Sequence, residues 1–187
     1  MEKVAVKKLR AGAVLPTFGS EGAAGADLYA CLDHDVTIEP GETVFVPTGL
    51  AMELPRGYAG LIYARSGLAC KRGLAPANKV GVVDSDYRGE FIVALHNHGA
   101  QPQTISHGER IAQLVVTPVL IPEYFEVEAL SDTQRGAGGF GSTGRLASFC
   151  PACPPKSTLS YKYDFGLLPG LGAAQKFIGC RAYRILH

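Results

Sequence analysis

Asn78-Lys-Val-Gly-Val-Val-Asp-Ser-Asp-Tyr-Arg-Gly-Glu90 is the stretch from which the rest of the chain is understood. An apolar pair, Val82 and Val83, runs into a carboxylate, Asp84. A polar link through Tyr87 and Gly89 follows, and a second apolar run extends from Phe91 to Leu95. Strand, polar turn, strand is a hairpin signature. An acid at a strand end beside a tyrosine keeps a general base and a flat ring together. A surface turn with solvated acids fits the same residues, so the decision rests on what accompanies them.

Working outward, short alternating or β-branched segments recur every 8 to 12 residues. The pattern predicts strands over 3–9, 26–31, 35–38, 42–46, 48–53, 58–64, 80–83, 91–96, 102–106, 110–117 and 123–128. Turn residues such as Pro40-Gly41 and His107-Gly108 separate them. This spacing predicts an all-β sandwich, barrel or jelly roll, with one short helical turn around Ser66 to Lys71.

The chain has 187 residues, enough for one well-buried domain, and its 47% apolar content marks it as globular. A net charge of +1 argues against bulk attraction to nucleic acid or to an anionic membrane. No apolar run approaches the roughly 18 residues of a membrane span. The charged, alternating N-terminus is expected to be a strand and not a signal peptide, which points to the cytoplasm. Five cysteines at irregular spacing do not form a secreted disulfide framework. Residues 1–144 carry 12 basic and 16 acidic side chains, a balance of −4, whereas 145–187 carry 6 and 1, a balance of +5. A boundary near Gly144 follows. The expected organisation is a domain over 1–130, a glycine-rich arm over 131–144 that is mobile until something orders it, and a poorly ordered extension over 145–187.

Four further stretches carry chemistry. Ala24-Gly-Ala-Asp-Leu-Tyr-Ala30 sets Asp27 among apolar strand residues. In Ala64-Arg-Ser-Gly-Leu-Ala69, Arg65, Ser66 and backbone N–H groups at a helix start suit a phosphate, although Ser66 as an ordinary N-cap fits equally well. Gly108-Glu-Arg-Ile-Ala-Gln-Leu-Val-Val116 interrupts an apolar strand with Gln113. Gly136-Ala-Gly-Gly-Phe-Gly-Ser-Thr143 nearly fits a Walker loop, but Ser142 replaces the lysine and no strand and helix frame it. Its N–H groups and hydroxyls, with Arg135, can still meet phosphates.

In order, AGADLYA, ARSGLA, NKVGVVDSDYRGE, GERIAQLVV and RGAGGFGSTG resemble the five motifs of the trimeric deoxyuridine triphosphatase family over residues 1–144. The resemblance implies a jelly-roll homotrimer with active sites at subunit interfaces. It implies hydrolysis of dUTP to dUMP and diphosphate with Mg²⁺, which limits uracil in DNA and supplies dUMP. By the same resemblance Asp84 activates the attacking water, and Arg65, Arg110 and Arg135 neutralise phosphate charge. Ser66 lies near the bridge between the α and β phosphates, and Gln113 faces the γ phosphate or the loop that holds it. Mg²⁺ enters on the phosphates and its waters, without a direct protein ligand, and Asp27 contacts those waters. Asn78 and the backbone through Val82 and Val83 answer the uracil edge. Tyr87 lies against the deoxyribose and blocks a 2′-hydroxyl, and Phe140 stacks on the base as the arm closes. Gly67, Ile92, Gly141, Ser142 and Thr143 complete the substrate contacts. No direct nucleic-acid or membrane partner is implied.

A dCTP deaminase on a related fold and a non-catalytic nucleotide-binding regulator are the rivals. The DSDY turn and the GGFGSTG arm disfavour the first, and Asp84, Arg65 and Arg135 disfavour the second. In the extension, Cys150-x-x-Cys153 with Cys180 and His187 leaves Zn²⁺ open, because the second pair has no familiar spacing.

Overall fold

The computed structural model describes residues 3–139. Among them lie eleven strands and one helix: β1 Ala5–Lys8, β2 Thr17–Phe18, β3 Ala26–Tyr29, β4 Val36–Ile38, β5 Thr43–Glu53, β6 Tyr58–Tyr63, α1 Ser66–Arg72, β7 Leu74–Pro76, β8 Gly81–Val83, β9 Glu90–Asn97, β10 Gln103–Ile105 and β11 Arg110–Pro118. The expected all-β class holds. All the pairings are antiparallel. One sheet has the order β1-β5-β9-β7, a second β2-β3-β11-β6-β8, and β10 and β4 form a separate pair.

Alternation places the core. Along β9, Phe91, Val93, Leu95 and Asn97 are buried, while Ile92, Ala94 and His96 point outward. Leu28, Ile62, Ile111 and Leu114 of the five-stranded sheet pack with Val46, Leu50, Phe91 and Leu95 of the four-stranded one. Ile38 and Ile105 of the small pair close the same core.

The expected strands at 42–46 and 48–53 are one strand, β5, with a register shift between Pro47 and Ala51. Its first half pairs with β9 up to Pro47↔Ile92, and its second half pairs with β1. At the shift the buried Thr48 hydroxyl donates to the Phe91 carbonyl at 2.6 Å. Gly49 there has φ +69, and its N–H donates to the Glu90 carboxylate at 2.7 Å. A Cβ on Gly49 would lie 2.8 Å from the Ala13 Cβ, so the bulge requires glycine.

Two expectations are overturned. Gly81–Val83 and Glu90–Asn97 are not a hairpin: β8 pairs with β6, and β9 pairs with β5 and β7 in the other sheet. The six-residue link has none of the two-residue turn chemistry that holds a hairpin, so the chain crosses between sheets. The strand expected over 123–128 is absent: these residues are exposed and pair with no strand among the described residues. An apolar alternation without a ladder partner leaves its backbone groups to water. Two strands were not expected, β2 and β7; they are two and three residues long, too short to show a period.

Residues through Phe125 form one unit and those from Glu126 on a second. In the described part of the second, Arg135 Nε donates to the Gly138 carbonyl at 2.8 Å, and the Gly136 N–H donates to the Thr133 carbonyl at 3.0 Å. This is a turn closed on itself.

Asn97 is fully buried between elements. Its amide donates to the Ile38 carbonyl at 2.9 Å and the Gln101 carbonyl at 2.8 Å, and its oxygen accepts from the Gly99 N–H at 2.9 Å. Asn97→Leu keeps the branched shape, in a bulkier side chain, but strands three backbone groups, so it should lower unfolding free energy by roughly 2–4 kcal/mol. Urea unfolding of the two proteins checks this.

Candidate active site

Asp27, on β3, is only 3% exposed. A buried carboxylate must be paired. Asp27 Oδ1 accepts from Arg65 Nε at 2.6 Å, and Oδ2 is 3.3 Å from a terminal nitrogen of Arg110. The sheet brings these residues together. In register, Gln113 of β11 sits opposite both Asp27 of β3 and Tyr63 of β6. Arg110 begins β11, and Arg65 follows the end of β6, so both reach the same corner of the five-stranded sheet. A register shift between Arg110 and Ala112 bends β11 where the arginine leaves it.

Arg65 is also the N-cap of α1, with φ −82 and ψ 128. No side chain makes the cap hydrogen bond, so the alternative of Ser66 as an ordinary N-cap falls away. Ser66 and Gly67 lie exposed in the first turn. Arg65, Ser66, Gly67, Arg110, Gln113 and Asp27 thus form one cluster with an exposed edge, able to offer two guanidinium groups and a hydroxyl to an anion.

The second group lies on and beside β8. Lys79 holds φ +65, uncommon for a residue with a side chain, and the Lys79 N–H donates to the Pro76 carbonyl at 3.0 Å. That tight turn folds Asn78 back over Gly81. A Cβ on Gly81 would lie 3.3 Å from both Asn78 Nδ2 and the Ile62 Cβ. Val82 is exposed and Val83 half-buried. In the link after β8, the Tyr87 N–H donates to the Asp84 carbonyl at 3.2 Å, and Arg88 donates to the Ser85 carbonyl at 2.7 Å. The Tyr87 hydroxyl donates to the Glu90 carbonyl at 3.1 Å, and its ring tilts against Phe91 with centroids 6.2 Å apart. A Cβ on Gly89 would run into the Tyr87 phenol. The ring is therefore fixed, with one face open. Ile92 lies exposed on β9. Asp84 opens onto a groove shared with Glu53, Arg56, Asp86 and Arg88, and neither Arg65 nor Arg110 lines it.

Asp27 and Asp84 do not meet within one chain. From β3 through β11 and β6 to β8 is three strand steps, and Asp84 continues from Val83, which pairs with Gly60, while Gln113 pairs with Tyr63. At about 4.8 Å per step and 3.3 Å per residue, Asp84 lies about 20 Å from Asp27. Phe140, Gly141, Ser142 and Thr143 lie outside the described residues, as does the extension with Cys150, Cys153, Cys180 and His187.

The sequence pattern of the dUTPase family matches residues 11–144. The chain belongs to the dUTPase family. Among similar dUTPase-family chains, a deoxyuridine 5'-triphosphate nucleotidohydrolase of Desulfitobacterium hafniense is 56% identical over 131 residues, covering 70% of this chain and 87% of that one. The dUTPase of Staphylococcus bacteriophage 80alpha with dUpNHpp superimposes with a TM-score of 0.71 at 30% identity, over 77% of this chain and 99% of that one. A dUTPase variant of phage phi11 of S. aureus, solved for the coordination of a structural Mg(II) ion, superimposes with a TM-score of 0.64 at 25% identity, over 70% of this chain and 100% of that one. The match to dUTPase structures assigns the sheets to the expected jelly roll. The family match ends at Gly144, where the charge balance changes sign.

The double clamp on Asp27 was not foreseen from sequence. Its partners are 38 and 83 residues away, and only the sheet register brings them together. Asp27→Asn leaves Arg65, 23% exposed at its side chain, without its carboxylate. Arg110, half exposed, softens the loss, so the cost should be roughly 1–3 kcal/mol. Urea unfolding should show it, with turnover falling in parallel.

Proposed function

We infer that this chain is a dUTP diphosphatase that acts as a homotrimer, each active site being shared between copies. The observation that carries the assembly is the distance of about 20 Å within one chain between the Asp27 corner and Asp84. A triphosphate with its water nucleophile needs both at contact distance. A second copy that brings its Asn78–Tyr87 stretch to the Arg65–Arg110 corner supplies them together. Exposed apolar side chains support association: Phe45 is 72% exposed, Leu120 95% and Tyr124 90% in the isolated chain.

Asn78 and the backbone through Val82 and Val83 hold the uracil, and Gly81 keeps the approach close. Tyr87, braced by Glu90, Phe91 and Gly89, lies against the deoxyribose where a 2′-hydroxyl would clash. Arg65, Arg110 and Gln113 take the phosphates, with Ser66 at the α–β bridge. The water oxygen bonds to the α-phosphorus as its proton passes to the Asp84 carboxylate. The α–β bridging P–O bond breaks, and diphosphate leaves with that oxygen. Positioning and charge neutralisation dominate such a transfer. Arg135, Phe140, Gly141, Ser142 and Thr143 on the arm over 131–144 close over the substrate and exclude water.

Among the described residues no group of three or more His, Cys, Asp or Glu is placed to hold a metal. With both Asp27 oxygens engaged and Asp84 exposed, the donor set suits an ion carried in on the triphosphate with its own waters. Mg²⁺ held there supplies charge neutralisation on the phosphate oxygens. Asp27 would hold such an ion through its waters, and Arg65 and Arg110 would share the phosphate charge with it. Among the described residues no helix is long and apolar enough to cross a membrane. We propose the cytoplasm as the compartment, where the enzyme lowers dUTP and supplies dUMP. The extension over 145–187 stands apart from this chemistry in our reading.

Two measurements test the function. Asp84→Asn should retain substrate binding and lose about 10²- to 10⁴-fold in kcat. Mixing refolded Asp84→Asn and Arg65→Met chains should restore dUTP turnover that neither has alone, because a mixed trimer contains some intact sites. No recovery in verified mixed trimers would place both residues in one chain's site. For the sugar, Tyr87→Ala should raise kcat/KM for UTP relative to dUTP, by removing a steric rejection. Parallel kinetics with the two nucleotides check it.

A further inference from the structure

α1 is held at both of its ends. At its start, Arg65 bonds Asp27. At its end, the Arg72 guanidinium reaches three acceptors. Its Nε donates to Gln103 Oε1 at 2.9 Å, one terminal nitrogen to the Glu109 carboxylate, and the other to the Thr104 carbonyl. Glu109 accepts in turn from the Ser106 N–H at 3.2 Å, and its carbonyl accepts from the Ala30 N–H at 2.8 Å. The helix stops at Gly73, whose φ of +69 returns its N–H to the Ala69 carbonyl. A Cβ on Gly73 would lie 2.8 Å from the Gly99 nitrogen, so the helix end sits tightly on the turn after β9.

These contacts close a ring. Arg72 ends the helix that Arg65 begins, and Glu109 is the residue before Arg110. At 1.5 Å per residue, seven helical residues put the two anchor points about 10 Å apart. The ring runs from Asp27 through Arg65, α1, Arg72, Glu109 and Arg110 back to Asp27. In the proposed function the phosphates draw Arg65 and Arg110 away from Asp27, and this weakens the clamp that spaces them. Arg72 and Glu109 then hold α1 against the start of β11. Both are about 30% exposed at the side chain, so their pairing is partly shielded from water.

We propose that Arg72, with Glu109 as its charged acceptor, is a positioning residue for the phosphate arginines, an inference that rests on the diphosphatase function above. It keeps Arg65, Ser66 and Arg110 at a fixed spacing while substrate replaces Asp27 as their partner. A guanidinium suits the task, because three acceptors in one plane fix orientation as well as distance.

The test uses the full-length protein with Arg72→Met, Arg72→Lys and Glu109→Gln. It measures dUTP kinetics, calorimetric binding of dUpNHpp and of dUMP, and thermal melting. Arg72→Met should weaken dUpNHpp binding and lower kcat/KM for dUTP by roughly 10- to 100-fold, the scale of a small misplacement of catalytic groups. Binding of dUMP, which lacks the β and γ phosphates, should change by less than about two-fold. Glu109→Gln should follow in the same direction, and Arg72→Lys should fall between, since one ammonium cannot meet all three acceptors. Values within about two-fold of the parent for both dUpNHpp and kcat/KM, with only melting lowered, overturn the proposal. So does an equal loss for dUMP and dUpNHpp, which marks a general structural role. Should Arg72→Met fail to fold, Arg72→Lys and Glu109→Gln carry the same comparison. A parent that neither hydrolyses dUTP nor binds dUpNHpp overturns the function itself, and that result is separate from any variant's.

Discussion

A carboxylate with almost no exposed surface, Asp27, stands between two arginines, and the arrangement of that corner depends on the pairing. Burying the charge alone would be prohibitive, so the fold must deliver both cations to it. β3 and β6 flank β11, and their register puts Asp27, Gln113 and Tyr63 in one row. Arg65 and Arg110 then arrive from the end of β6 and the start of β11. Asp27 holds both guanidinium groups at one point. Preorganised positive charge of this kind stabilises a developing negative charge without reorganising at the moment of reaction. In the proposed function the clamp also sets a requirement: substrate must offer the arginines more than Asp27 does. A triphosphate, with several negative charges, meets it.

The same sheet that builds this corner keeps it away from Asp84, the proposed general base. β8 lies at the sheet edge, and the link beyond it leaves for the other sheet. Asp84, Tyr87 and Asn78 are thereby held on a rigid, separately braced surface. In the proposed homotrimer, placing half of a site on each of two copies makes catalysis conditional on assembly. It also lets each half be rigid by itself, since neither has to bend across the domain to meet the other.

Much of this was legible in the sequence, and what was not has physical causes. β9 was recognised because its burial repeats every second residue, and β6 and β11 because their apolar, β-branched runs are bounded by turn residues. The helix at Ser66–Arg72 was found within one residue, since Gly73 ends it. Partner choice was not legible. The two runs around Asp84 read as a hairpin because local pattern carries no record of which sheet a strand joins. Residues 123–128 carry the alternation of a strand and lack a neighbour among the described residues. The ordered motifs singled out Asp27, Arg65 and Arg110, yet the ion pairs that hold them, Asp27 with Arg65 and Arg110 and Arg72 with Glu109, connect residues dozens of positions apart. No spacing rule reaches that far, and only the sheet register makes them neighbours.

In the proposed homotrimer a complete site exists only between copies. Sedimentation velocity over a dilution series, with and without saturating dUpNHpp and Mg²⁺, tests it most directly. If each site joins two copies, the ligand should bind the assembled species alone, and it should shift dissociation to lower protein concentration by mass action. A monomer that binds dUpNHpp as tightly as the assembled protein, with no shift in the dissociation profile, would contradict the account.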